Sequence, residues 1–239
     1  MTSSKIGAFL LGGAIAIGLL GAAFIVSNGL LDIQNLQRQV TVKGLAEREV
    51  LADTAIWPIS YTEAGNDLEQ LVLRTERNNQ IIQNLLLEIG FEPSEISLSL
   101  PTIQDNQAQG YVDPNLKFRY SALASVTLYT SQVNLLLKNR NRLLELGAKG
   151  IAISGENDYR NKLEYLFTDL NSIKPAMIEQ ATKNARQVAL KFASDSDSQL
   201  GKIKTASQGQ FSINARDSNT PHIKKIRVVS TITYYLTDN

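Results

Sequence analysis

The sequence predicts an α+β protein: antiparallel sheets covered by helices in two similar halves, preceded by one N-terminal transmembrane helix. Three observations predict this. An uninterrupted apolar run occupies residues 6–26. Segments rich in β-branched and aromatic residues come in pairs, and longer stretches with 3.6-residue apolar spacing separate the pairs. The resulting order is strand-strand-helix-strand-strand, then helix-strand-strand-helix-strand-strand, dividing near Thr130.

The apolar run, IGAFLLGGAIAIGLLGAAFIV, has 21 residues and no charged, amide or hydroxyl side chain. A helix of that length at about 1.5 Å per residue spans roughly 30 Å, the thickness of a bilayer's hydrocarbon core. The expected layout is a cytoplasmic N-terminus over 1–5, an anchor over 6–26, a linker over 27–38 and a folded body over 39–237, with sub-halves of about 39–130 and 131–237. Lys5 is the only charge before Asp32. The positive-inside bias then puts the body in the periplasm or outside the cell. The competing reading is a secreted periplasmic protein, cleaved from a signal peptide after Gly21-Ala22-Ala23. Against cleavage, the apolar run continues through Phe24-Ile25-Val26. Ala14, Gly18 and Ala22 recur every four residues, as do Ala8, Gly12 and Ala16. Such stripes permit close helix packing, but Gly and Ala are also common in membrane helices generally.

Within the body, Gln39–Ala46 and Glu49–Tyr61 read as two strands of a hairpin, with Pro58 placing the second at an edge or a bulge. Trp57 reads as a packing residue. Asn66 to Gly90 is the clearest helix, with Asn66 as cap, Glu69 as capping-box carboxylate and Gly90 as terminator. Its inward stripe is Leu68, Leu71, Val72, Ile82, Leu85, Leu86 and Ile89. Glu95–Leu100 alternates as a half-buried strand, a polar loop follows over Gln104–Asn115, and Phe118–Tyr129 is a long strand. Ser131 caps a second helix that stops at Gly147. Lys149–Ser154 reads as a short strand, and Asn161–Thr168, which alternates Leu163, Tyr165 and Phe167, as an extended segment with a helix as the alternative. Pro175 opens a third helix with Ile178, Ala181, Ala185, Val188 and Phe192 inward. Lys202–Gln210 and Ile223–Leu236 form a closing hairpin around a polar loop of 12 residues.

Composition excludes several functions. Removing Lys5 from the 24 Lys and Arg leaves 23 against 23 Asp and Glu, so the body lacks the cationic excess of a general nucleic-acid binder. There are no cysteines and one histidine, His222 in a Thr-Pro-His turn. Thiolate nucleophiles, iron–sulfur clusters and multi-histidine metal sites are therefore ruled out. No Gly-x-Ser-x-Gly elbow, phosphate-binding Gly-x4-Gly-Lys loop or dinucleotide glycine fingerprint is present. Asp195-Ser196-Asp197-Ser198-Gln199 has acids at alternate positions of a calcium loop. It lacks the glycine at position 6 (Leu200) and the glutamate at position 12 (Ala206), so it reads as a turn. Glu47 and Glu49 read as solvated acids rather than a glycosidase pair. No catalytic, cofactor-binding or metal-ligating residue is assigned.

Val40-Thr41-Val42-Lys43-Gly44 followed by Val50-Leu51-Ala52-Asp53-Thr54-Ala55 resembles the opening of the SIMPL-domain family, whose second strand carries a Pro-Asp-x-Ala signature. Ala52 stands where the family usually has proline. The resemblance continues through Leu86-x3-Gly90-Phe91 with Ile96, and through Phe118-Arg119-Tyr120-x-Ala122. It runs on through Ala181-x3-Ala185-Arg186-x2-Ala189-x3-Ala193 to Leu200-Gly201-Lys202-Ile203. It covers about residues 39–237, with Glu156–Lys162 longer than usual. It implies a bacterial, exported or membrane-anchored α+β protein, with loose links to oxidative-stress protection and to self-assembly. It supplies no catalytic residues.

The functional expectation is a membrane-anchored, non-enzymatic, self-associating scaffold or envelope-stress module, held in the membrane through residues 6–26, with no cofactor and no nucleic-acid partner. The alternative is a module binding a peptide, glycan or small ligand through the Gln104–Asn115 and Ser207–Pro221 loops. An unrecognised hydrolase using a Ser-Lys pair or converging carboxylates ranks third.

Overall fold

The structure is a computed structural model that describes residues 12–13, 18–26, 38–108, 116–154 and 162–238. Of the apolar run, residues 12–13 and 18–26 are helical, and the rest of 6–26 lies outside the described residues, as does the linker up to residue 37. Among the described residues no helix is long and apolar enough to cross a membrane. The body is α+β, with nine strands among the described residues in two antiparallel sheets. By chain contacts it divides into two units, 1–48 with 173–212 and 227–239, and 49–172 with 213–226. Thr130, where the sequence suggested a division, lies within the second unit, opposite Ala55.

The predicted first hairpin does not form. β1 (Gln39–Leu51) and β2 (Thr54–Gly65) belong to different sheets. β1 runs straight through Glu47-Arg48, where the sequence predicts a turn, with Glu47 3.7 Å from Arg227 and Glu49 3.4 Å from Arg216. The chain changes sheet at Ala52-Asp53, where the Ala52 N–H donates to the His222 carbonyl at 2.8 Å and the Asp53 N–H to the Leu166 carbonyl at 3.0 Å.

In the second unit, β2 pairs along its length with β5 (Tyr120–Thr130). β3 (Ile96–Leu98) and β4 (Thr102–Asp105) both pair with β5, and β6 (Glu164–Leu166) pairs with residues 54–56 of β2. β3 is shorter than predicted: Ile96 is buried, whereas Leu98 and Leu100 are exposed. Helix α1 (Leu68–Ile89) packs on β2 and β5. Its cap is Asp67, not Asn66: the Asp67 carboxylate accepts from the Gln70 N–H at 3.1 Å, while the Asn66 amide oxygen accepts from the Arg119 N–H at 2.9 Å. Gly90 ends the helix at φ 112°, a left-handed conformation that favours glycine. Leu71, Ile82, Leu85, Leu86 and Ile89 are buried as expected, Val72 is half-buried, and Leu68 is exposed.

The predicted second helix is broken into α2 (Val133–Asn139), a 3-10 turn (Arg140–Leu143) and α3 (Leu144–Ala148). Ser131 does not cap it. The Thr130 hydroxyl accepts from the Gln132 N–H at 2.9 Å and donates to Glu95 Oε1 at 2.6 Å. Lys149–Ser154 contributes one isolated bridge, Ile153 to Tyr61, rather than a strand.

In the first unit, α4 (Leu170–Asp195) begins before Pro175, which sits inside the helix and leaves the Asn171 carbonyl without its usual donor. The earlier start follows from Asp53, whose carboxylate captures the Thr168 and Asp169 N–H groups just ahead of it. The inward stripe is Met177, Ala181, Ala185, Ala189 and Ala193. Val188 and Phe192, expected inward, are 41% and 56% exposed. β1 explains the difference, since it approaches so closely at Gly44 that only alanine fits beneath it. The sheet order is β1-β9-β7, from β7 (Ser198–Gln208) and β9 (Ile223–Asp238), with β8 (Ser212–Ala215) also on β9. The predicted closing hairpin thus forms, with β8 inside its polar loop. Val42, Ala185, Ala189, Ile232 and Tyr234 form the core here.

Candidate functional site

A carboxylate that accepts four hydrogen bonds lies at the sheet-switching corner. Asp53 Oδ2 accepts from the Thr168 N–H at 2.7 Å and the Asp169 N–H at 3.0 Å. Its Oδ1 accepts from the Thr54 and Thr168 hydroxyls at 2.9 Å and 3.0 Å. Burial raises its pKa, but these donors outweigh burial and hold the carboxyl below its ordinary value. A carboxylate with its lone pairs occupied in this way is a clamp between chain segments, poorly suited to act as a base.

Two concavities lie in the second unit. One, about 220 Å³, is lined by Trp57, Pro58, Ile59, Arg140, Leu143 and Ile153, among others. It opens where β6 has ended and before the Tyr61–Ile153 bridge. Pro58 therefore sits in a strand flanked on both sides, at a stretch with no second strand partner among the described residues, which accommodates its missing N–H. Trp57 is 7% exposed, a packing residue that also forms a wall of this hollow.

The other, about 480 Å³, is lined by Arg140, Lys162, Leu163, Tyr165, Asp217 and Ser218, with Ala215 and Pro221. Asp217 is organised by its own turn: it accepts from the Asn219 and Thr220 N–H groups at 2.8 Å and pairs with Arg216 at 3.0 Å. The Thr220 hydroxyl also donates to it. Its pKa is driven well below the usual range, first by the Thr220 hydroxyl and then by Arg216. Lys224 is half-buried, and burial followed by the nearby Lys162 lowers its pKa against the pull of Glu164.

The residues singled out from sequence are dispersed. The half-buried His222 ring stacks edge-on with Tyr165 at 5.8 Å, and its carbonyl holds Ala52. In the Asp195–Gln199 turn, Asp195 pairs with Lys191 at 2.8 Å and Asp197 adopts φ 51°. Ser198 is buried and accepts from Arg38 at 3.1 Å. Among the described residues no group of three or more acidic or histidine side chains could hold a metal ion. Of the Gln104–Asn115 loop, residues 109–115 lie outside the described residues, and its start belongs to β4. The cluster that sequence reasoning missed is Arg140 with Lys162 and the 215–221 segment. Residues so far apart in sequence give no local signal.

The SIMPL family model, described as "Protein of unknown function (DUF541)", matches residues 40–233. No curated protein matches the chain. The residues that carry the resemblance in the sequence occupy structural positions: Gly44 lies under Ala181 and Ala185, Asp53 clamps the corner, Ala55 is fully buried, and Gly90 caps α1. With the match covering most of its length, the chain belongs to the SIMPL family of proteins of unknown function.

Proposed function

We propose that this protein is a single-pass, membrane-anchored SIMPL module facing the periplasm or cell exterior, without enzymatic activity, that self-associates as a scaffold. Anchoring is supported by the 21-residue apolar run. Self-association rests on one observation: from Lys202 to Gln208 every residue of β7 is exposed, and so is every residue of β8. A ribbon bare on both faces has little intrinsic stability and presents a template for pairing with another copy. Light scattering on the detergent-solubilised full chain tests this. A defined oligomer is expected, and a monomer across a wide concentration range rejects self-association.

A second reading, ligand binding by the polar loops, is favoured by the 480 Å³ cavity, which takes Ala215, Asp217, Ser218 and Pro221 from the Ser207–Pro221 region. Its cationic rim from Arg140 and Lys162 suits an acidic peptide or glycan. Arg140→Ala with Lys162→Ala removes a ligand-induced melting shift if this reading holds. An unchanged shift rejects it.

A further inference from the structure

We propose that the two hollows of the second unit are one binding site for a small amphipathic carboxylate, with its apolar body in the hollow beside Pro58 and Leu144 and its charged end on Arg140. The inference rests on the ligand-binding reading above and adds an apolar half to the ligand. Its first support is a shared wall. Arg140 lines both the 220 Å³ and the 480 Å³ hollow, so the two spaces meet at one guanidinium. Its second support is the contrast between the two sides. One side is mainly apolar and comprises Trp57, Pro58, Ile59, Leu143, Leu144 and Ile153. Leu143 is buried, whereas Leu144, just past the 3-10 turn, is 75% exposed. Pro58 has no N–H, so β2 strands no donor there. On the other side the polar groups are Lys162, Tyr165, Asp217 and Ser218.

Charge sets the sign of the ligand's polar end. Among the described lining residues the acid is Asp217, and it is committed to its own turn. It accepts from the Asn219 and Thr220 N–H groups at 2.8 Å and pairs with Arg216 at 3.0 Å. The lining cations are Arg140 and Lys162. A guanidinium carries five N–H donors in a planar fork, so it holds a carboxylate by two parallel hydrogen bonds and keeps donors for a further partner. A ligand that joins an apolar group to a carboxylate uses both sides of Arg140, which a plain sugar or an inorganic anion does not.

Trp57 is the single tryptophan of the chain and a wall of the apolar hollow, so its fluorescence in the detergent-solubilised full chain reads occupancy. A saturable change with 3-phenylpropionate is expected. Binding at least tenfold weaker is expected for 3-phenylpropionamide, which has the same shape without the charge, and none for acetate. Arg140 and Leu144 are both exposed, so Arg140→Gln and Leu144→Ser are expected to keep the melting temperature of the free protein. Arg140→Gln should weaken the acid at least tenfold and leave the amide unchanged, and Leu144→Ser should weaken both several-fold. Equal binding of acid and amide, or an acid affinity unmoved by Arg140→Gln, overturns the charged contact. Acetate binding as tightly as 3-phenylpropionate overturns the apolar half. If 3-phenylpropionate gives no saturable change while an acidic peptide still gives a melting shift that depends on Arg140 and Lys162, the joined site is rejected and the ligand-binding reading stands. Absence of both signals removes both.

Discussion

The Cβ atom that Gly44 lacks would overlap the carbonyl oxygen of Ala181 and stand 2.8 Å from the Cβ of Ala185. Strand β1 and helix α4 are therefore in backbone contact, and two motifs some 140 residues apart in sequence are halves of one joint. The Asn184 amide donates to the Leu45 carbonyl at 2.7 Å and fixes the register of that joint.

Gly44→Ala is expected to destabilise the fold by about 2–3 kcal/mol, because the atoms it meets are backbone and cannot rotate away. Gly147, which has open space around its Cβ position inside α3, is the control. Gly147→Ala is expected to be neutral or stabilising by up to about 1 kcal/mol. Urea unfolding followed by circular dichroism separates the two.

The same joint makes Ala189 intolerant of size. Ala189→Leu, at a position with no exposure, is expected to cost about 1–3 kcal/mol. Phe192→Ser, one turn away on the outer face, is expected to stay within about 0.5 kcal/mol. The reverse ordering in thermal melts would restore the inward stripe read from the sequence.

Asp53 ties folding to pH. Its folded pKa is depressed, so its contribution is present above its ordinary value and is lost as pH falls through the folded value. Asp53→Asn is expected to lower stability by about 1–3 kcal/mol at pH 7 and to flatten part of the loss as pH falls below the ordinary aspartate value of 3.8. Melting temperature measured across pH reads both effects. An acid limb as steep as the wild type's in Asp53→Asn counts against the clamp.

Tyr61 is fully buried, and its hydroxyl donates to the Thr75 carbonyl at 2.7 Å and to Asn79 Oδ1 at 2.9 Å. Burial, with Glu63 adding to it, raises its pKa far above the ordinary tyrosine value of 10.0. Above that value the unfolded chain loses a proton that the folded one retains, so stability falls as pH rises. Absorbance titration of the folded protein should leave at least one of the eight tyrosines unionised at pH 11, and Tyr61→Phe should remove that missing step.

Much of the fold was legible where a local signal sufficed. The 3.6-residue spacing placed α1, Gly90 marked its end, and Phe118–Tyr129 became β5 with Ala122, Ala124, Val126 and Leu128 buried. Errors arose where a distant partner outweighed a local cue. Nothing near Ala52-Asp53 says that the next strand joins another sheet, because that switch is set by His222, Leu166 and Thr168. Pro175 is a good helix opener by propensity, yet Asp53 starts α4 earlier. Hydrophobicity alone places Val188 and Phe192 inward, whereas the close approach of Gly44 reserves that face for alanine. The cavity beside Arg140 was illegible for a related reason, since three separated segments assemble it.

Strand order also has a consequence for how the chain is made. Among the described strands β1 is the first to be synthesised, and its neighbour in the sheet is β9, the last of them. At the usual 5–20 residues per second, an interval on the order of ten to thirty seconds separates their emergence from the ribosome. Throughout it, β1 lacks the strand it pairs with in the folded sheet. Loss of β9 would leave β1 without its sheet neighbour among the described residues, so it should act on the whole first unit. Emergence of β9, rather than completion of any early segment, is then the event that permits this sheet to close.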